Sequence, residues 1–188
     1  MGSIRSFIAF ETPTLIREKM LELQTELKKS NAHVRWEPES KFHATLSFLG
    51  NIQEQLLPKI IEKIQETLMP FSIFDIIYQN LGAFPNNRTP HVIWIGCHNP
   101  DGKLQQMKET LDGQLEQFGV HAENRQFRPH ITLGRVKSPK GRKDLIQKLE
   151  SLTFQPMAAT ITDIAIMKSI LKPEGSEYSI LKTISLQE

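Results

Sequence analysis

Two histidines are each followed, two positions on, by a threonine: His43 and Thr45 in KFHATLSFLG (residues 41–50), and His130 and Thr132 in RPHITLGRV (residues 128–136). Chance placement of these residue types predicts about 0.04 occurrences of His-x-Thr-Leu in a chain of this composition, yet the pattern occurs at both sites. Two imidazoles can act as general acid and general base near neutral pH, and hydroxyls can hydrogen-bond phosphoryl oxygens. The repeated pattern therefore favours phosphodiester cleavage over a buried His-Thr pair in each core.

Both motifs lie in runs typical of strands, where alternate side chains share a face. His43 and Thr45 should project together, and His130 and Thr132 likewise. The opposite, core-facing side is predicted to carry Ala44, Leu46 and Phe48 in the first strand, and Ile131 and Leu133 in the second. If the two halves pack about a pseudo-twofold axis, the histidines face each other across a cleft.

The two histidines are 87 residues apart, and the same offset relates other parts of the chain. Strand-like runs at 4–10 and 71–79 map onto runs at 91–97 and 158–166. Helical apolar spacing over 12–29, with Thr12 as the N-cap, and over 53–68 maps onto similar spacing near 101–117 and 140–155. An internal duplication is predicted, with repeats at about 4–90 and 91–177 and a final strand at 178–186.

The predicted architecture is a single α+β domain over residues 1–188. Its fold class is a bilobal, internally duplicated arrangement of two antiparallel sheets flanked by helices around a central cleft. Turn-forming residues predict loops at 81–91, between the halves, and at 172–177.

The composition excludes several other classes of protein. A net charge of +2 gives no broad electrostatic footprint for duplex nucleic acid. The single cysteine, Cys97, excludes an intrachain disulfide and a multi-cysteine zinc site, and is expected to be buried at a strand end. With no signal-like segment and no long apolar span, a cytoplasmic protein without membrane contact is expected, and a monomer is assumed.

The remaining histidines and tryptophans are interpreted as structural or surface residues. The four histidines without a threonine partner should lie at element ends: His33, His91, His98 and His121. Trp36 and Trp94 should pack within the lobes. A short basic cluster follows the second motif at Lys137, Lys140, Arg142 and Lys143. It is interpreted as a solvated helix start that could also guide an RNA backbone.

The residues described above resemble the 2H phosphoesterases, which are named for two HxTx motifs on a duplicated fold. The closer resemblance is to the bacterial and archaeal RNA 2′,3′-cyclic phosphodiesterases, long described as 2′-5′ RNA ligases. It covers nearly the whole chain, through RSFIAFE, HATLSFLG, LGAFP…VIWIG and FRPHITLGR. The resemblance implies hydrolysis of a 2′,3′-cyclic phosphate at an RNA end to leave a 2′-phosphate.

The same resemblance implies roles for individual residues. His43 would be the proton donor to the departing 3′-oxygen and His130 the proton acceptor from water, although the bare sequence does not distinguish these roles. Arg135 would contact phosphate, provided that a twist or bulge at Gly134 turns it to the histidine face. Phe84 would stack on a base, or else fill the core as a loop residue.

Substrate-binding residues are thus predicted to be Thr45, Thr132, Arg135 and Phe84. No metal site and no cofactor are predicted, and the expected partner is RNA or a nucleotide with a 2′,3′-cyclic phosphate end. An RNA 2′-5′ ligase or an RNA-end binding protein is the alternative.

Overall fold

The computed structural model describes residues 2–123 and 126–188. Within these residues, runs of alternating apolar side chains form nine strands, and runs with helical apolar spacing form four α-helices. The strands are β1 (Ser3–Glu11), β2 (Val34–Trp36), β3 (His43–Gln53), β4 (Phe74–Phe84), β5 (Val92–His98), β6 (His130–Val136), β7 (Met157–Ile161), β8 (Asp163–Lys172) and β9 (Gly175–Ser185). The helices are α1 (Thr14–Lys28), α2 (Leu57–Leu68), α3 (Lys103–Leu115) and α4 (Arg142–Ser151). Within the described ranges, no helix is long and apolar enough to cross a membrane.

The α+β class is confirmed, but several predicted boundaries are wrong. Pro13, rather than Thr12, is the N-cap of α1, and no side chain caps that helix. The helix predicted from residue 53 begins at Leu57 because β3 continues to Gln53. The single strand predicted at 158–166 is two strands, β7 and β8.

The two predicted loops are shorter than expected. Strand β4 continues through Phe84, so the first loop occupies only residues 85–91. The predicted loop at 172–177 is a tight hairpin, in which Lys172 at the end of β8 pairs with Gly175 at the start of β9. In both places a strand extends into turn-forming residues because its backbone pairs with a neighbouring strand.

The strands form one antiparallel sheet in the order β7-β4-β5-β6-β3-β1-β8-β9, with β2 paired to β6. The two predicted sheets are thus its two halves, and β3 and β6 join them through one registered pair, Ala44 and Ile131. We call this junction the seam. The sheet order is symmetric about the seam, because strands β1, β3 and β4 shifted by 87 residues fall on β5, β6 and β8.

Each half of the sheet contains a strand from the opposite half of the chain. Strand β8 pairs with β1, whereas β4 pairs with β5. The duplication itself stays a prediction, but this exchange means that neither predicted repeat, at 4–90 or 91–177, forms its half of the sheet alone. The paired backbones therefore tie the two halves into one unit.

The helices cover one face of the sheet and leave the other face to the histidines. The main core joins Met20 of α1, Ile64 of α2, Leu111 of α3 and Leu149 of α4 to inward residues of the strands. A second, small cluster, on the other face, is formed by Phe7, Ala9, Ala165 and Met167, with Tyr178 packed against it. The predicted helix faces are confirmed, since Ile16, Met20, Leu23 and Leu27 are all buried.

Both motif strands contain a β-bulge directly after the threonine. In β3 the register with β1 shifts between Thr45 and Ser47, so that Leu46 is the extra residue. In β6 the register with β5 shifts between Thr132 and Gly134, so that Leu133 is the extra residue. Both leucines are buried in the core. A bulge shifts the alternation by one position, so the residues beyond it exchange faces.

We expect Gly134→Ala to destabilise the fold, because a β-carbon there would lie 2.8 Å from Cε3 of Trp36 and 2.8 Å from Cγ1 of Val34. Overpacking of this kind typically lowers the free energy of unfolding by about 1–3 kcal/mol. The matched control is Gly113→Ala in α3, where a β-carbon meets nothing within 4 Å. It should raise stability by about 0.5–1 kcal/mol. Urea unfolding of both variants would measure the difference, and equal stability would contradict the close packing at Gly134.

Candidate active site

The seam brings the two motifs together on one face of the sheet. Ala44 and Ile131 are both buried and directly opposite each other, so they share the core face. Their neighbours therefore share the opposite, helix-free face. Continuing the antiparallel register from this pair places His43 beside Thr132 and Thr45 beside His130. Each histidine thus lies next to the threonine of the other motif.

His43 is enclosed by aromatic rings. Its imidazole lies 5.1 Å from the ring of Phe7 and 5.0 Å from the ring of Tyr178, which meets it edge-on. Burial, and to a smaller extent the positive charge of Lys41, lower the pKa of His43 from its usual value of 6.5 to about 4. In the free protein at neutral pH, His43 is therefore an uncharged imidazole.

His130 is oriented by a backbone carbonyl two residues earlier in the chain. Its Nδ1 lies 2.7 Å from the carbonyl oxygen of Arg128. Because a carbonyl oxygen only accepts hydrogen bonds, Nδ1 must carry the proton and donate it. In the neutral ring, Nε2 is then a proton acceptor. The edge of Phe84 packs against this imidazole, with ring centroids 4.9 Å apart.

The threonines and Arg135 add polar groups to the same face. The two hydroxyls, of Thr45 and Thr132, have no hydrogen-bond partner among the residues that the structure describes. Arg135 lies opposite Val92, and Thr132 lies opposite Trp94 two residues further along β5. Because Val92 and Trp94 share a face, the bulge turns Arg135 to the side of His130 and Thr132.

Two aromatic residues lie elsewhere than predicted. Phe84 is neither a loop residue nor a core residue, because it ends β4, packs against the ring of Trp94 at 5.1 Å and meets the ring of His130 at nearly a right angle. Phe48, predicted to be in the core, is 40% exposed. It lies opposite Phe7, on the histidine face, because the bulge at Leu46 shifts the alternation.

Sequence reasoning missed the residues that surround His43. Lys41 precedes His43 by two positions, but it ends a 3₁₀ turn (Glu39–Lys41) rather than lying in β3, so strand alternation does not place it. Phe7 lies across from the motif on β1, and Tyr178 lies on β9. Their proximity depends on the order of strands in the sheet, which no local pattern in the sequence gives.

The other interpretations of single residues hold. The four remaining histidines are exposed: His33, His91, His98 and His121. Cys97 is buried near the end of β5, and burial raises the pKa of its thiol. Trp36 and Trp94 are half-buried, and Lys137, Lys140 and Lys143 are exposed around the start of α4.

Two hollows that the structure shows lie away from the histidines. Hollows of about 300 Å³ beside Glu11 and Arg17, and of about 440 Å³ beside Lys108 and Phe127, include neither histidine. Across residues 2–123 and 126–188, no three side chains of the metal-binding types cluster to hold an ion. The two imidazoles can transfer protons, and the threonine hydroxyls beside them can hydrogen-bond an anion.

Comparison with known proteins gives a match over most of the chain. Residues 13–172 match the family model of the 2′-5′ RNA ligase superfamily. A protein of Archaeoglobus fulgidus named RNA 2′,3′-cyclic phosphodiesterase is 33% identical, with 95% of this chain and 98% of the relative covered. A protein of the same name from Methanothermobacter thermautotrophicus is 30% identical, with 97% and 99% covered.

Solved structures share the fold. The protein TT0787 of Thermus thermophilus superimposes with a TM-score of 0.81 and 25% identity over 98% of each chain. Escherichia coli LigT in complex with 3′-AMP gives a TM-score of 0.78 and 23% identity over 100% of each chain. The predicted α+β fold class of the 2H phosphoesterases is thereby confirmed.

The aromatic enclosure of His43 predicts an unusual titration. We expect its imidazole signals in NMR to titrate near pH 4 in the free protein. Since the unfolded chain binds this proton near pH 6.5, the contribution of His43 to stability is complete above pH 6.5. That contribution is lost as the pH falls towards 4. A midpoint at or above about pH 6 would contradict the enclosure.

Proposed function

The chain belongs to the 2′-5′ RNA ligase superfamily, and on that premise we propose that it is an enzyme that hydrolyses 2′,3′-cyclic phosphodiester ends of RNA. The observation that carries the proposal is the meeting of two His-x-Thr strands at the seam, on the helix-free face. The full-length relatives named RNA 2′,3′-cyclic phosphodiesterase support the same reaction.

In the proposed reaction, a water molecule attacks the phosphorus and the bond from phosphorus to the 3′-oxygen breaks. His130 accepts the proton of the attacking water on Nε2. The hydrogen bond from Nδ1 to the carbonyl of Arg128 supports this role, because it holds the neutral ring in the tautomer whose Nε2 carries no proton and can accept one. His43 donates a proton to the departing 3′-oxygen, which becomes a hydroxyl and leaves a 2′-phosphomonoester.

The low pKa of His43 has a consequence for its role as the proton donor. Free His43 is neutral at pH 7, so the donor form must be created when substrate binds. The anionic phosphate supplies an opposite charge beside the imidazole, which raises its pKa. Protonated His43 is therefore favoured when a cyclic phosphate occupies the site.

The remaining polar residues hold the phosphate. The hydroxyls of Thr45 and Thr132, each beside the histidine of the other motif, donate hydrogen bonds to the two non-bridging oxygens. Arg135 supplies a positive charge from the same face. Phe84 fixes the orientation of His130 through its ring contact and presents an aromatic edge to the terminal nucleoside.

We expect the product of adenosine 2′,3′-cyclic phosphate to be adenosine 2′-phosphate, and the reaction to be unaffected by EDTA. The proposed roles require no metal, and cleavage next to the 3′-oxygen leaves the phosphate on the 2′-oxygen. Phosphorus NMR of the reaction mixture distinguishes the two phosphomonoesters directly. Unreacted substrate beside the folded protein would favour a binding protein instead.

Two further results would contradict the proposal. A dominant 3′-phosphate would reverse which phosphorus–oxygen bond is cleaved. Loss of turnover in EDTA, with recovery on adding zinc, would contradict a metal-free mechanism. The His130→Gln variant is the control for background hydrolysis, since loss of a general base typically reduces the rate by roughly 10²–10⁴-fold.

A further inference from the structure

Three cations surround a single carboxylate at one end of the histidine face. Glu37 Oε1 lies 3.7 Å from Nη2 of Arg35 and 3.5 Å from Nε of Arg135. Glu37 Oε2 lies 3.7 Å from Nζ of Lys41. We call Arg35, Lys41 and Arg135 the cation cluster. One negative charge faces three positive charges, so the cluster has a surplus of positive charge.

The cluster is adjacent to His43, whose pKa is lowered in part by the charge of Lys41. Lys41 precedes His43 by two residues, and its ammonium lies 5.8 Å from the ring centroid of Tyr178, whose ring contacts His43. Arg135 lies on the histidine face beyond the bulge, and Arg35 pairs with it in register on β2. The cations therefore extend the active face beyond His43.

The hydrogen-bonding capacity of the cluster is not used up within the described chain. Nε of Arg35 is buried and has no hydrogen-bond partner among the described residues. The side chain of Arg135 is 44% exposed, whereas that of Glu37 is only 12% exposed. Glu39, another nearby carboxylate, is instead paired with Arg17 at 3.4 Å. The side chain of Arg35 is 34% exposed and that of Lys41 is 19% exposed, so an incoming anion would first meet the two arginines rather than the carboxylate.

The direction of the proposed reaction identifies the anion. The departing 3′-oxygen lies on the side of His43, and the carbon that bears it is joined through C4′ and C5′ to the 5′-oxygen of the same nucleoside. In an RNA chain that oxygen carries the preceding phosphodiester. The second phosphate of an RNA end therefore extends on the His43 side of the reacting phosphorus, where the cation cluster lies.

We propose that the cation cluster is a second phosphate subsite, which binds the phosphodiester on the 5′ side of the terminal nucleoside. This inference rests on the proposed function and adds to it a second contact with the RNA end, at the phosphodiester on the 5′ side of the terminal nucleoside. Arg35 and Lys41 are the specificity-determining residues of this subsite. Because Arg135 also serves the reacting phosphate, it joins the two subsites.

The test compares adenosine 2′,3′-cyclic phosphate with its 5′-phosphorylated form. We expect the 5′-phosphate to raise kcat/KM by about tenfold or more, as charge-assisted hydrogen bonds do. Arg35→Gln and Lys41→Gln should each reduce this ratio towards one. Lys59→Gln, which removes an exposed positive charge on α2, should leave the ratio unchanged, and melting curves verify that all three variants are folded.

A binding measurement separates failure of the subsite from failure of the proposed function. Calorimetry should show adenosine 2′,5′-bisphosphate binding about tenfold more tightly than adenosine 2′-phosphate, and Arg35→Gln should abolish the difference. If the protein hydrolyses both cyclic substrates with nearly equal kcat/KM, the subsite is contradicted and the proposed function stands. No hydrolysis of either would overturn the function, and equal affinities would then overturn the subsite as well.

Discussion

The backbone pairing of Ala44 with Ile131 is the constraint on which the site depends, because across the described chain it is the registered pair that joins the two halves of the sheet. It fixes which face each motif presents. It also sets each histidine beside the threonine of the other motif, so that two imidazoles and two hydroxyls converge on one face. A shift of one residue in the register between β3 and β6 would turn the side chains of one motif into the core and separate the two histidines.

The bulges at Leu46 and Leu133 then make the two halves of the site unlike each other. Each bulge places its leucine in the core and turns the residue two positions later to the histidine face: Phe48 in one half and Arg135 in the other. Equivalent positions thus carry an aromatic ring at one end and a cation at the other. Aromatic rings also lower the pKa of His43 while a backbone carbonyl orients His130. A nearly symmetric scaffold therefore presents two imidazoles with different properties.

Local patterns in the sequence predicted most of the fold and the central residues of the candidate site. Helical spacing identified the buried faces of α1 and α3, and alternation placed His43 with Thr45 and His130 with Thr132. Alternation failed where strands depart from it, so that Phe48 was assigned to the core and the face of Arg135 could not be fixed. The contacts of Tyr178 and Phe7 with His43, and of Glu37 with the cation cluster, depend on strand order. Strand order brings together residues that are far apart in the sequence, as the exchange of β4 and β8 between the halves illustrates.

The proposed roles of His43 as general acid and His130 as general base can be tested most directly with a cyclic substrate whose 3′-oxygen is replaced by sulfur. A thiolate leaves without a proton, so this substrate needs the base but not the acid. We expect His43→Ala to lose roughly 10²–10⁴-fold in turnover of the oxygen substrate and to recover most of it with the sulfur substrate. His130→Ala should remain slow with both. Recovery by His130→Ala instead would reverse the roles, and recovery by neither would contradict a general acid acting on the 3′-oxygen.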